Sequence, residues 1–265
     1  MLKFDEYSHK YPEISMERRN GILQIVTHTN GDTIQFTGAP DVYPAMYYHI
    51  AEAFQHIGSD VENKLVIWTG AGNAFSGPQG KGKSPRRNAR GWERSSWKGR
   101  HMLMNLLDID VPIICAVNGP VLRHSELPLV CDIVLAAEEA TFQDSSHMLR
   151  AGVPGDGVHV IYPLLMGLNR ARYFLLTSQT LSARQALDIG LVNEVLSRDK
   201  LLPRAWELAE QLAKHSPLVL RHTRTLLVHA LRREMHEMLG YGFALEGLAN
   251  MDEQPEGILE RDYPK

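Results

Sequence analysis

Short apolar runs alternate along this chain with stretches of helical spacing, and that alternation limits the possible folds more than any other feature of the sequence. A strand-like run over residues 22–27 follows the Asn20-Gly21 turn signal, another over 65–69 ends at Gly70, and two more occupy 112–117 and 132–136. Each has the length of a buried strand. Between the first two, Ile50, Ala53, Phe54 and Ile57 mark one face of a helix over residues 45–57. A second helix is predicted from about Trp92 to Leu107, and the segment between the last two runs, which carries His124 and Glu126, is long enough for one more. Strands alternating with helices predict a parallel, layered α/β core.

The pattern turns helical after Ser182, over residues 183–189, 201–214 and 217–237, with a last amphipathic stretch through Met251. This suggests a core over residues 1–198 and a helical C-terminal region over 199–265. Residues 77–91 (GPQGKGKSPRRNARG) read as a surface loop. Its Lys81, Lys83, Arg86, Arg87 and Arg90 suit either a solvated loop or a site for phosphate groups.

Composition removes several function classes. The chain has 265 residues, 44% of them hydrophobic, which is enough for a sizeable core. Its 28 Lys and Arg against 31 Asp and Glu leave a net charge of -3 and no field that would draw it to nucleic acid. No apolar stretch approaches the ~20 residues that span a bilayer, and the N-terminus carries no apolar signal core. Cys115 and Cys131 sit inside apolar runs as expected of reduced, buried thiols, which suits a cytoplasmic protein. GAGNAFSG lacks the Gly-Lys-Ser/Thr of a phosphate loop. His215, His222, His229 and His236 recur along one helical stripe, but steps of about 10 Å are too long for neighbours to share a metal, and no metal site is expected. Gly-x-Ser-x-Gly is absent, so Ser125 beside His124 does not suggest a serine esterase.

From Ala116 the chain reads AVNGPVLRHSELPLVCDIVLAAEEATFQD, followed by VPGDG; VIWTGAGNAFSG precedes this block and LSARQALDIGLVNEVL follows it. These segments resemble the crotonase (enoyl-CoA hydratase/isomerase) family over residues 20–250. The resemblance implies a ββα spiral core with a helical C-terminal oligomerisation region, and homotrimers or dimers of trimers. The departures from the family pattern bear on function. Arg123-His124-Ser125 stands where the family has a Gly-Gly-Gly turn, and His147 replaces the second hydratase carboxylate, whereas Glu126 matches the first. His124, His147, Asp156 and Glu246, with FQD, VPGDG, RYFLLT and LLPRAWELA, resemble 6-oxocamphor hydrolase and related β-diketone hydrolases, which cleave by a retro-Claisen reaction without a cofactor.

Such cleavage needs a base for water, and an imidazole near its ordinary pKa suits that task. His147 is the candidate base. A carboxylate on its other ring nitrogen would set the tautomer, and Asp156 is the proposed partner because LRAGVPG lets the chain turn back. Alternatively, Asp156 caps a helix over 158–165 and His147 is a loop residue. His124 would bond the diketone oxygen that becomes the enolate, or lie on the surface. Glu246 would point outward, or hold a water or a histidine as the resemblance implies. Backbone N–H groups near Gly77 and near Leu122 or Arg123 would form the oxyanion hole, Pro78 having none. Glu126 is expected to contact substrate. Phe36 falls near where 6-oxocamphor hydrolase carries a tryptophan that contacts a substrate oxygen, which removes an N–H donor and argues against the same substrate. The expected partner is a small cyclic β-diketone. One alternative is an acyl-CoA hydratase or isomerase using Glu126 and His147; another is a non-catalytic crotonase-fold RNA-binding or assembly module, which the net charge disfavours.

Overall fold

The computed structural model describes residues 2–36, 43–77, 88–150 and 152–252. In chain order the elements are α1 (Phe4–Tyr7), β1 (Ile14–Arg19), β2 (Ile22–Thr27), α2 (Tyr43–Ser59), β3 (Leu65–Gly70), α3 (Ala89–Asp108), β4 (Ile113–Val117), α4 (Glu126–Leu129), β5 (Ile133–Ala137), β6 (Thr141–Phe142), α5 (Val158–Met166), α6 (Leu168–Thr177), β7 (Leu181–Ser182), α7 (Ala183–Asp188), β8 (Glu194–Leu196), α8 (Arg198–Leu212) and α9 (Pro217–Ala249). The main sheet has the order β1-β2-β3-β4-β5-β8; β1 runs antiparallel to β2 and the remaining pairs are parallel. The α/β expectation therefore holds. Asn20 and Gly21 take φ 54° and 82° between β1 and β2, which is the tight hairpin that an Asn-Gly pair favours.

Alternate residues of the parallel strands face opposite sides of the sheet. Val66, Trp68, Ile113 and Cys115 join a core with α2 and α3, whereas Leu65, Ile67, Ile114 and Ala116 meet Leu201, Ala205 and Ala209 of α8. The boundary expected at residue 198 coincides with the start of α8, but α8 covers one face of the sheet and so completes the core. Cys115 and Cys131 are buried and free. Among the described residues no helix is long and apolar enough to cross a membrane. His215, His222, His229 and His236 are exposed. Of the basic loop, residues 78–87 lie outside the described residues, and Arg90 belongs to α3.

Two expectations about helices change. The segment between β4 and β5 holds only the four residues of α4, the rest being an ordered loop. The C-terminal stretch, expected as two pieces, is one helix of 33 residues that continues through Gly240 and Gly242. Gly242 weakens the helix locally but allows α9 to meet the segment before α5. A Cβ on Gly242 would lie 2.3 Å from the Gly155 carbonyl oxygen, and one on Gly155 would lie 2.3 Å from that of Gly242. Arg224 secures the other end of α9 inside the core, its Nε donating to Asp132 Oδ2 at 2.7 Å and its Nη1 to the Leu107 carbonyl at 3.2 Å. Trp92 Nε1 of α3 donates to the Phe243 carbonyl at 2.9 Å.

These contacts make the two glycines of α9 unequal. Gly242→Ala should destabilise the fold by about 1–3 kcal/mol through overpacking, whereas Gly240→Ala, where a Cβ meets nothing within 4 Å, should stabilise it by about 0.5–1 kcal/mol. Urea unfolding of the two variants measures both signs.

Candidate active site

The loop after β4 is held from several sides, and this determines where His124 lies. Asn118 Nδ2 donates to the Gly72 carbonyl at 3.1 Å while its Oδ1 accepts from Gly70 N–H at 3.2 Å. Val121 bridges Ser76 on one side and Phe142 on the other. Ser76 Oγ donates to the Arg123 carbonyl at 2.6 Å and Ser145 Oγ to that of Leu122 at 2.5 Å. So anchored, His124 adopts φ 50°, a left-handed conformation that costs a non-glycine residue about 1–2 kcal/mol. The position suits the glycine of the family pattern, and a histidine held there despite the strain points to function.

His147 is 2% exposed and sits at the centre of a charged cluster. Its Nδ1 lies 2.8 and 2.9 Å from the two oxygens of Asp144. Its Nε2 faces Asp156 Oδ2 and Glu246 Oε1, each at 3.6 Å. Those two distances are long for direct hydrogen bonds but short enough for a water or substrate oxygen to serve both sides. The carboxylate that orients His147 is therefore Asp144, three residues away, and not Asp156 as expected. Asp156 lies between the two histidines, its Oδ2 also 3.5 Å from His124 Nδ1. Nor does it cap α5, whose N-cap is Gly157 with φ 114°. Glu246 points inward, carried there by the Gly155–Gly242 contact.

Both ring nitrogens of His124 are engaged. Nδ1 lies 2.8 Å from Glu126 Oε1, and Nε2 meets the Tyr47 hydroxyl. Phe36 packs against His124 with ring centroids 4.7 Å apart and against Tyr47 at 5.7 Å, an apolar wall beside that histidine. The backbone donors require a correction: Gly77 N–H donates to the Ile34 carbonyl at 3.2 Å and Leu122 N–H to that of Ser76 at 3.1 Å. Neither is left for a substrate oxygen, whereas the Arg123 amide, the expected alternative to Leu122, makes no backbone hydrogen bond among the described residues. Ser125 Oγ accepts from the Tyr162 hydroxyl at 2.8 Å rather than meeting a histidine.

Burial and mutual charge set the protonation of the cluster. Burial pushes Glu126 up to about 7, with the Asp156 charge adding to the effect and His124 opposing it. Burial likewise raises Glu246, and His147 partly offsets this. For His147, burial is the largest single influence and disfavours the imidazolium, but Asp156, Asp144 and Glu246 together outweigh it and hold the pKa well above the ordinary histidine value. His124 behaves similarly: burial lowers its pKa, and Glu126 and Asp156 more than reverse that. Glu126 Oε2, Asp156 Oδ1 and Glu246 Oε2 are buried acceptors without a protein partner among the described residues, which leaves them for water or substrate. His124, Glu126 and Asp156 each place one ligand atom within 4.8 Å of the others, and a cation bound there would have to displace the Nδ1 proton.

The sequence expectation missed Asp144 and Tyr47. Asp144 carried a local signal, the Asp-x-x-His spacing to His147, whereas Tyr47 carried none, standing 77 residues from His124 on an otherwise apolar helix face.

The enoyl-CoA hydratase/isomerase family model matches residues 42–247. A putative enoyl-CoA hydratase of Thermus thermophilus is 32% identical over 221 residues, covering 82% of this chain and 85% of that protein. A β-diketone hydrolase from the cyanobacterium Anabaena sp. PCC 7120, bound to (S)-3-oxocyclohexyl acetic acid, superposes with TM-score 0.87 at 44% identity, covering 92% of this chain and 96% of the other. An enoyl-CoA hydratase/isomerase from Mycobacterium paratuberculosis shares the fold with TM-score 0.81 at 24% identity, covering 92% and 96%. With most of its length matched, and with the β4 loop and its glutamate in place, the chain belongs to the enoyl-CoA hydratase/isomerase, or crotonase, family.

Proposed function

We propose that the protein is a hydrolase that cleaves a carbon–carbon bond of a cyclic β-diketone by a retro-Claisen reaction, without a cofactor. The observation that carries this reading is the buried His147, oriented through Nδ1 by Asp144 and turned through Nε2 toward Asp156 and Glu246. That arrangement is a base with a carboxylate behind it and acceptors in front to position a water. The 44% identical β-diketone hydrolase supports the reading, since the molecule bound to it is a keto acid, the product class of hydrolytic ring opening.

Water beside Nε2, held by a neighbouring carboxylate, gives a proton to His147 as its oxygen bonds to one carbonyl carbon. Collapse of the adduct breaks the bond to the central carbon, whose electron pair becomes an enolate. The imidazolium returns the proton to that carbon, and the hydroxyl stays on the new carboxylic acid. Each atom of water is accounted for. In this scheme His124, with Glu126 and Asp156, stabilises the enolate side, and Phe36 shapes the pocket for an apolar ring. Exposed Leu168, Tyr173, Leu226, Leu227 and Leu248 offer apolar surface for self-association, consistent with a homotrimer or a dimer of trimers, and the free buried thiols suit the cytoplasm.

A second reading, hydration of an enoyl-CoA, is favoured by Glu126, whose pKa near 7 suits a proton donor, and by the activity in the Thermus thermophilus relative's name. Crotonyl-CoA and a cyclic β-diketone with a dialkylated central carbon separate the two. Diketone loss with keto-acid formation is expected, and His147→Ala should slow it by about 10²–10⁴-fold; turnover of crotonyl-CoA alone would sink the hydrolase reading.

The site also predicts a pH dependence. His147 must be neutral to accept the water proton, and its folded pKa is raised, so activity should fall on the acid side with a midpoint above the ordinary value of about 6.5. Asp144→Asn removes one of the charges that raise it. That variant should move the acid midpoint downward while lowering kcat by up to about 10⁴-fold through loss of the tautomer, as read from kcat–pH profiles.

A further inference from the structure

The carboxylate oxygens around His124 outnumber the protein groups that satisfy them. Glu126 is 1% exposed, and its Oε1 lies 2.8 Å from His124 Nδ1 while its Oε2 has no partner. Asp156 places Oδ2 3.5 Å from the same nitrogen and 3.6 Å from His147 Nε2, and its Oδ1 is buried without a partner as well. Asp144 and Glu246 add their charges against His147. The nearby bases are the two imidazoles and Arg123, whose Nη1 donates to Ser146 Oγ at 3.3 Å while its Nε and Nη2 have no partner. Buried charge of this density is ordinarily paired or bound to a metal.

We infer that His124 Nδ1, Glu126 and Asp156 form a binding site for a zinc-class divalent cation, and that a cation held there excludes the diketone. The three ligand atoms lie within 4.8 Å of one another. In a tetrahedral zinc site with bonds of about 2.0–2.2 Å, ligand atoms stand about 3.3–3.6 Å apart. The separation of His124 Nδ1 from Asp156 Oδ2 already fits, and the hydrogen bond from Nδ1 to Glu126 Oε1 needs to open by only about half an ångström. One imidazole and two carboxylates suit Zn²⁺ better than Mg²⁺ or Ca²⁺, which take oxygen ligands. Coordination requires Nδ1 to be unprotonated. The ring proton is then on Nε2, facing the Tyr47 hydroxyl oxygen, and that outer contact holds the imidazole in the ligating orientation.

The place of the site makes its occupant an inhibitor. Asp156 Oδ2 faces both histidines, so a cation that takes it withdraws a carboxylate from the water at His147. The same cation takes His124 and Glu126 from the enolate side. The competition, though not the binding, rests on the diketone reading above.

The test uses untagged, chelator-treated protein. Equilibrium dialysis should show Zn²⁺ retained by the wild type and bound about 100-fold more weakly by Glu126→Gln and by Asp156→Asn, with Mg²⁺ and Ca²⁺ not retained at the same concentration. Thermal melts confirm that the variants fold and should show Zn²⁺ raising Tm in the wild type alone. With Zn²⁺ at about ten times its Kd, the apparent KM for the dialkylated cyclic β-diketone should rise about tenfold with kcat unchanged. Zn²⁺ retained equally by wild type and both variants belongs to exposed histidines such as His215 and His222 and overturns the inference; so does a rate that Zn²⁺ raises. If neither variant folds, Co²⁺ in the wild type decides: the strong visible bands of a four-coordinate ion, abolished by Zn²⁺, are expected, and the faint bands of six-coordination overturn the inference. Wild type that binds Zn²⁺ through these residues but leaves the diketone intact refutes the hydrolase reading and the competition, while the site stands. Wild type that turns over the diketone and retains no Zn²⁺ refutes this inference alone.

Discussion

Burial of several carboxylates and two histidines in one place is the constraint on which the rest of the molecule turns. An isolated buried charge costs several kcal/mol, so each member of such a cluster needs a partner or must change its protonation. Both happen here. Asp144 is matched to His147 and Glu126 to His124, Asp156 is shared between the histidines, and Glu126 rises to about 7 instead of carrying a full unpaired charge. The elements that supply these side chains come from separate parts of the chain, so the cluster also dictates how closely they must approach. Glu246 reaches His147 only because α9 and the segment before α5 meet backbone to backbone at Gly242 and Gly155.

The proposed hydrolysis rests on the same cluster. Two carboxylates around one water suit addition to a double bond. An imidazole in place of one of them, backed by Asp144, can take a proton from water and return it to carbon within one catalytic cycle. His124 holds a left-handed φ at the position of the family's glycine turn, and the backbone N–H groups of Gly77 and Leu122 are bonded to Ile34 and Ser76. On the proposed reading, fold and reaction separate at these few positions.

Much of the architecture was legible because it rests on local patterning. Apolar runs of strand length, the Asn20-Gly21 turn and the spacing of Ile50, Ala53, Phe54 and Ile57 each involve residues a few positions apart, and the structure places β2, β3, β4, β5 and α2 on them with small shifts at the ends. The C-terminal helix was harder to read. The expected end at residue 237 is overrun by an unbroken helix, in which the contact with Gly155 accounts for Gly242. Residue type and family pattern singled out His124, His147, Asp156 and Glu246, and the fold gathers all four.

What the sequence determined by itself was the layered α/β class and the presence of histidines at two positions of the family pattern, since these follow from local periodicity and from identities at matched positions. Tertiary structure alone decided the pairing. Asp144 rather than Asp156 lies on His147 Nδ1, Tyr47 lies on His124 Nε2 across 77 residues, and the amides of Gly77 and Leu122 are bonded to neighbouring backbone. Hydrogen bonds depend on a few tenths of an ångström and on which way a ring nitrogen faces. Residue order does not encode that geometry until the loops are packed against one another.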